Sequence, residues 1–160
     1  MTSSYFLSLN DWLAIAFRMI CALFVGAVIG WNRQREHKPA GLRTHMLVSL
    51  GSALYVMIPI YISVLNNNSS ELLSRGIQGS IQGVATGVCF LGAGEIIHQQ
   101  RSVNGKARVT GLTSAAAIWV SSALGLTVGA GLYPIAILGL VFSWIVIEIV
   151  KKLEKPNETD

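Results

Sequence analysis

Charged residues are scarce in this sequence: they make up 12% of its 160 residues, against 52% hydrophobic. A soluble domain carries about 25% charged residues, so an ordinary water-soluble globule is excluded. Polar connecting sequence is short as well. The longest stretches, NNNSSELLSR and HQQRSVNGKARV, are too small to contain a catalytic domain. The two cysteines, Cys21 and Cys89, both lie within apolar runs and lack CxxC spacing, which speaks against a thiolate metal site or a redox pair. His37, His45 and His98 are spread over two connections and share no ligand spacing. GAGEII, Gly92 to Ile97, does not complete the dinucleotide pattern GxGxxG, and Gly105-Lys106 lacks both the earlier glycine and the hydroxyl residue of a phosphate-binding loop. No catalytic, cofactor-binding or metal-binding residue is therefore assigned, and the chain is not read as an enzyme.

What the sequence has is long apolar runs. Five windows approach the roughly 20 apolar residues that a bilayer requires: Trp12 to Trp31, Thr44 to Leu65, Gly76 to Ile97, Gly111 to Gly131, and the shorter Tyr133 to Val150. They are too long, and too little alternating, for the ten-residue strands of a membrane barrel. The expected fold is an all-α, polytopic transmembrane bundle forming one domain over residues 1–150, with a short polar tail over 151–160. The opening MTSSYFLSLND carries no Lys or Arg and the window after it contains Arg18, so a cleaved signal peptide is not expected.

Cations fall on alternate connections. The first holds Arg33, Arg35, Lys38 and Arg43, the third Arg101, Lys106 and Arg108, and the tail Lys151, Lys152 and Lys155; the second has Arg75, and the fourth and the N-terminal segment have none. This positive-inside pattern predicts five spans with the N-terminus outside and the C-terminus cytosolic. The net charge of +4 thus sets orientation and attracts anionic headgroups; it does not point to nucleic acid.

Small residues recur at intervals of four: Ala22, Gly26 and Gly30 in the first window; Gly79, Gly83 and Gly87 in the third; Ser121, Gly125 and Gly129 in the fourth. Each series makes a flat stripe that lets helix backbones approach closely. The reading is a compact bundle, with or without a partner chain. Gln78, Gln82 and Thr86 form a polar line beside the third-window glycines, suited either to a solute path or to interhelical hydrogen bonds.

Three stretches resemble the MgtC/SapB family of bacterial inner-membrane proteins. They are Arg18 to Leu50, with Arg33 and then PAGLRTHMLVSLG; TGVCFLGAGEII, Thr86 to Ile97; and VTGLTSAAAIWVSSALGLTVGAGLY, Val109 to Tyr133. Asn32 stands where the family usually has glutamate, and Cys89 where glycine is common. The resemblance implies a membrane protein associated with magnesium homeostasis, in a short form without the soluble C-terminal domain of many relatives. The favoured reading is an accessory or regulatory protein that contacts another membrane complex. The alternative is a small ion or solute transporter or channel working as a homo-oligomer, with Gln78, Gln82, Thr86 and the Gly92 to Glu95 segment along its path. Mg²⁺ usually takes one or two carboxylates, and only Asp11 and Glu71 lie on the outer side.

Charges within or beside the windows complete the candidate set. Arg18 either snorkels outward to pair with Asp11 or faces the bundle to meet an anion or a polar group of the third span. Glu148 reads as an interfacial partner of Lys151 and Lys152. Glu95 sits at the cytosolic end of the third span, where the helix terminus disfavours a carboxylate. It is expected to take a cation, from His98 or, as a clamp, from Arg33 or Arg43 of the first connection. Gly92 and Gly94 are expected to weaken the helix enough for it to break beside Glu95.

Overall fold

The computed structural model describes residues 8–66, 70–98, 101–103, 106–108 and 111–150. Five helices in it are long and apolar enough to cross a membrane. They are α1 (Leu9–Arg35), α2 (Leu42–Asn66), α3 (Ser70–His98), α4 (Leu112–Gly129) and α5 (Tyr133–Ile145), the last continuing as a π-turn over Val146–Val150. Between α3 and α4 lies a feature the expected all-α fold lacks. Arg101–Val103 (β1) and Lys106–Arg108 (β2) pair antiparallel, Arg101 opposite Arg108.

Local chemistry sets the ends. Ser8 caps α1 in a capping box: its hydroxyl accepts from the Asp11 N–H at 3.2 Å, while Asp11 Oδ2 accepts from the Ser8 N–H at 2.9 Å. At the other end the Lys38 N–H reaches the Arg33 carbonyl and the His37 N–H reaches that of Gln34, both at 3.1 Å. This is a Schellman closure, with His37 in the left-handed position at φ 54°. The same closure ends α4 through Gly131 at φ 81° and Leu132, whose N–H reaches the Thr127 carbonyl at 2.8 Å. Pro134 then opens α5, where its missing N–H costs nothing.

The packing is organised around α2, which is held between the glycine faces of α1 and α4. A Cβ on Gly26 would lie 2.5 Å from the His45 carbonyl oxygen, and one on Gly30 would lie 2.8 Å from the Leu42 Cα. Further along α2, a Cβ on Gly125 would strike the Ser49 carbonyl oxygen, and one on Gly129 would lie 2.6 Å from that of Ala53. Apolar burial gives helices little reason to associate in lipid, so backbone proximity of this kind carries the packing. Hydroxyls add to it: Ser49 Oγ donates to the Ala22 carbonyl at 2.8 Å, and Ser52 Oγ to Ser122 Oγ at 3.1 Å.

The remaining helices are more peripheral. Val84 and Val88 of α3 pack against Ile118 of α4, and a Cβ on Gly92 would lie 3.4 Å from that of Ala115. Contrary to expectation, Gly92 and Gly94 do not break α3, which is helical throughout Ser70–His98. Gly92 serves as a contact point on α4. Helix α5 buries only Ala136 and leaves Phe142, Val146 and Ile137 exposed, an apolar face suited to lipid.

Candidate functional site

The main buried polar cluster gathers side chains from four helices. Arg33, in the last turn of α1, is 3% exposed, and its Nη2 donates to Ser114 Oγ at 2.6 Å. Ser114 sits in the first turn of α4, after Gly111, which holds φ 91° and offers no side-chain cap. A helix N-terminus carries partial positive charge, so a guanidinium placed there requires compensation by carboxylate. The charges of Glu36 and of Glu95, on α3, both reach Arg33.

The Glu95 charge also reaches His45 of α2, which is 0% exposed. His45 Nδ1 lies 2.9 Å from the Gly41 carbonyl oxygen. A carbonyl only accepts, so Nδ1 carries the hydrogen, and Nε2 of the neutral ring is an acceptor. Nε2 is buried without a hydrogen-bond partner among the described residues, as are Arg33 Nε and Asn32 Nδ2. Each such group costs about 1–3 kcal/mol. The cluster therefore holds unused hydrogen-bonding capacity at the junction of α1 and α2, next to the place where the resemblance leads one to expect a glutamate and Asn32 stands instead.

Arg18 is placed differently from either expectation. Its Nη1 donates to the Gly129 carbonyl oxygen at 2.8 Å, meeting an orphan carbonyl in the last turn of α4, where positive charge is favourable. Asp11, the expected partner, is occupied by the Ser8 N–H and hydroxyl. The expected contact between Arg18 and a polar group of the third span is replaced by one with α4.

Of the two first-connection arginines expected near Glu95, Arg33 is buried and feels the Glu95 charge. Arg43 is exposed and lines a surface pocket with Gln34, Pro39, Gly41, Leu42 and Thr44. His98 ends α3, and its side chain lies outside the described residues, as do Lys151 and Lys152, the expected partners of Glu148. His45, read from sequence as part of a connection, is fully buried in α2.

The three small-residue stripes part ways. Ala22, Gly26 and Gly30 of α1 and Ser121, Gly125 and Gly129 of α4 are buried. Gly79, Gly83 and Gly87 of α3 are exposed, and a Cβ at any of them would meet nothing within 4 Å. Within one chain the third stripe is thus not a packing face. Gln78, Gln82 and Thr86 are exposed beside it, on the side of α3 turned away from Val84 and Val88, so they line no path through the bundle.

Sequence reasoning missed Ser49, Ser52, Ser114 and Ser122. Only for Ser49 was there a signal in spacing: His45, Ser49 and Ala53 recur every four residues and face the glycines of α1 and α4.

These helices define a multi-pass helical membrane protein of the bacterial inner membrane. The MgtC family model matches residues 19–156, and the chain belongs to that family. Protein SrpB of Synechococcus elongatus is 44% identical over 94% of this chain and 82% of its own length. Escherichia coli K12 YhiD, named as a candidate magnesium transporter, is 38% identical over 85% of this chain. Protein MgtC of Brucella abortus is 34% identical over 82%. The chain spans 60% of YhiD and 50% of the Brucella protein. No solved structure matches.

Proposed function

We propose that this protein is an accessory or regulatory component of magnesium homeostasis that acts by contacting another membrane complex, with its N-terminus outside and its C-terminus in the cytosol. The orientation rests on the alternation of basic and nearly uncharged connections. The link to magnesium rests on family membership and on the names of YhiD and of the Brucella protein.

One observation carries the accessory role. The two acids on the side where α1 and α3 begin are both engaged: Asp11 in the capping box, and Glu71 in a 2.7 Å ion pair with Arg75. Mg²⁺ demands oxygen ligands and sheds its water reluctantly, so carboxylates tied up in this way are poor first captors. At the other end the exposed Arg35, Lys38 and Arg43 surround the PAGLRT turn, a basic face suited to an acidic partner surface or to anionic headgroups.

A second reading, a transporter built as a homo-oligomer, is favoured by the outward polar line of α3, which several copies would bring to a shared axis. Proteoliposomes holding only this protein separate the two. The accessory reading expects Mg²⁺ entry at the rate of protein-free vesicles, and protein-dependent entry would overturn it.

A further inference from the structure

Two unpaired amides on the outer face of α3 ask for a covering that lipid does not provide. Gln78 and Gln82 are exposed, and no hydrogen-bond partner accompanies either carboxamide among the described residues. Thr86, next along the line, satisfies its hydroxyl within the helix by donating to the Gln82 carbonyl at 2.9 Å. Gln82 lies near the middle of the 29-residue α3, at the depth where hydrocarbon offers neither donor nor acceptor and an unmet polar group is most costly. Beside these amides the backbone is bare: Gly79 and Gly83 border an open groove between α3 and α2, lined across from them by Tyr55 and Ile58, and a Cβ at either would meet nothing within 4 Å.

We propose that this face of α3 is a self-association surface and that its occupant is α3 of a second copy of the chain. Copies inserted by one pathway share one orientation, so their α3 helices run parallel. A two-fold axis along the membrane normal then sets each residue opposite its own equivalent. A carboxamide is both donor and acceptor, so glutamine pairs with glutamine across such an axis. Glycines at intervals of four are what parallel helices use to bring their backbones together in lipid. The outer end of the same face carries Glu71 and Arg75, paired with each other at 2.7 Å, so it presents no net charge to repel its copy. A lipid tail fills the groove but leaves the amides unmet. The inference is independent of the magnesium role and stands with either reading of it.

Cys89 is exposed and lies seven residues, two helical turns, beyond Gln82 on the same side of α3, so it supplies a native probe. In native membranes containing the full-length Cys21→Ser protein, copper-phenanthroline oxidation should give a covalent dimer through Cys89. Gln82→Leu should lower the yield at limiting expression by on the order of tenfold. Gly83→Leu should do the same, while Gln82→Asn, which keeps a self-complementary amide, should largely restore it. Every variant should still elute as folded protein in mild detergent; because Gly83 shares its cleft with Tyr55, Gly83→Ala, whose methyl meets nothing within 4 Å, is run beside Gly83→Leu and should lower the yield in the same direction. As a reference for chance collision, Phe142→Cys on the exposed side of α5 is oxidised in a background with Cys21 and Cys89 replaced by serine. A Cys89 dimer no stronger than that reference would overturn the proposal. So would a yield indifferent to Gln82→Leu, or cross-linking chiefly to a different protein.

Discussion

Arg33 of α1 and Ser114 of α4 are joined by a 2.6 Å hydrogen bond between two buried residues. Bonds to a charged group contribute about 1.5–3 kcal/mol, so Ser114→Ala should lower thermal stability in detergent by that amount. Substituting Arg33 itself removes the cation that Glu95 and Glu36 face. In a double-mutant cycle with Glu95→Gln, Arg33→Gln should couple by more than about 1 kcal/mol, while Arg43→Gln and Glu95→Gln add independently. Additive behaviour at both arginines would remove the clamp from the site.

Arg18→Met should cost about 1–3 kcal/mol, because it uncovers the Gly129 carbonyl at the end of α4. Asp11→Asn should lose only part of an N-cap, within about 0.5–2 kcal/mol. The two effects should add, measured as shifts in melting of the detergent-solubilised protein. Strong coupling would mean that Arg18 and Asp11 pair after all.

The glycines divide into two groups that one assay distinguishes. Gly125→Ala and Gly26→Ala push a methyl into the backbone of α2, and overpacking costs about 1–3 kcal/mol. Gly83→Ala meets nothing within 4 Å, so in a monomeric detergent state it should raise stability by about 0.5–1 kcal/mol, the helix penalty that glycine carries. Equal destabilisation at positions 125 and 83 would contradict the packing described.

Orientation has its own test in intact cells. With Cys21 and Cys89 replaced by serine, a cysteine at position 68 should react with an impermeant maleimide from outside, and one at position 104 only after permeabilisation. The opposite pattern would invert the protein and move the basic connections to the wrong side.

The five spans were legible because apolar length is summed over many residues, and no single contact decides them. The α1 and α4 glycine stripes were legible for the same reason. The α3 stripe reads identically in sequence yet borders open clefts beside α2 and closes on no helix, because spacing specifies a flat face without saying what lies against it. The Arg18 contact escaped because its partner is a backbone carbonyl, which every residue supplies and no letter marks. His45 and Ser114 escaped because histidine and serine beside a polar connection look like solvent-facing residues. Only the tertiary arrangement puts both out of reach of water. Of the residues expected around Glu95, Arg33 and Arg43 could both be reasoned from charge, whereas their different burial, one covered and the other exposed, depends on the tertiary arrangement.

The embrace of α2 by two glycine faces has a consequence in time. A ribosome delivers α1 and α2 early, and the Gly26 and Gly30 face can close on α2 as soon as both are in the membrane. The Ser49 carbonyl and the Ser52 hydroxyl of α2 must wait through the synthesis of all of α3 until α4 brings Gly125, Gly129 and Ser122. Arg33 waits for Ser114 over the same interval, and Arg18 for the Gly129 carbonyl. The fourth span is the keystone of assembly: until Leu112–Gly129 is in place, Arg18, Arg33 and Ser52 all lack the partners that α4 supplies.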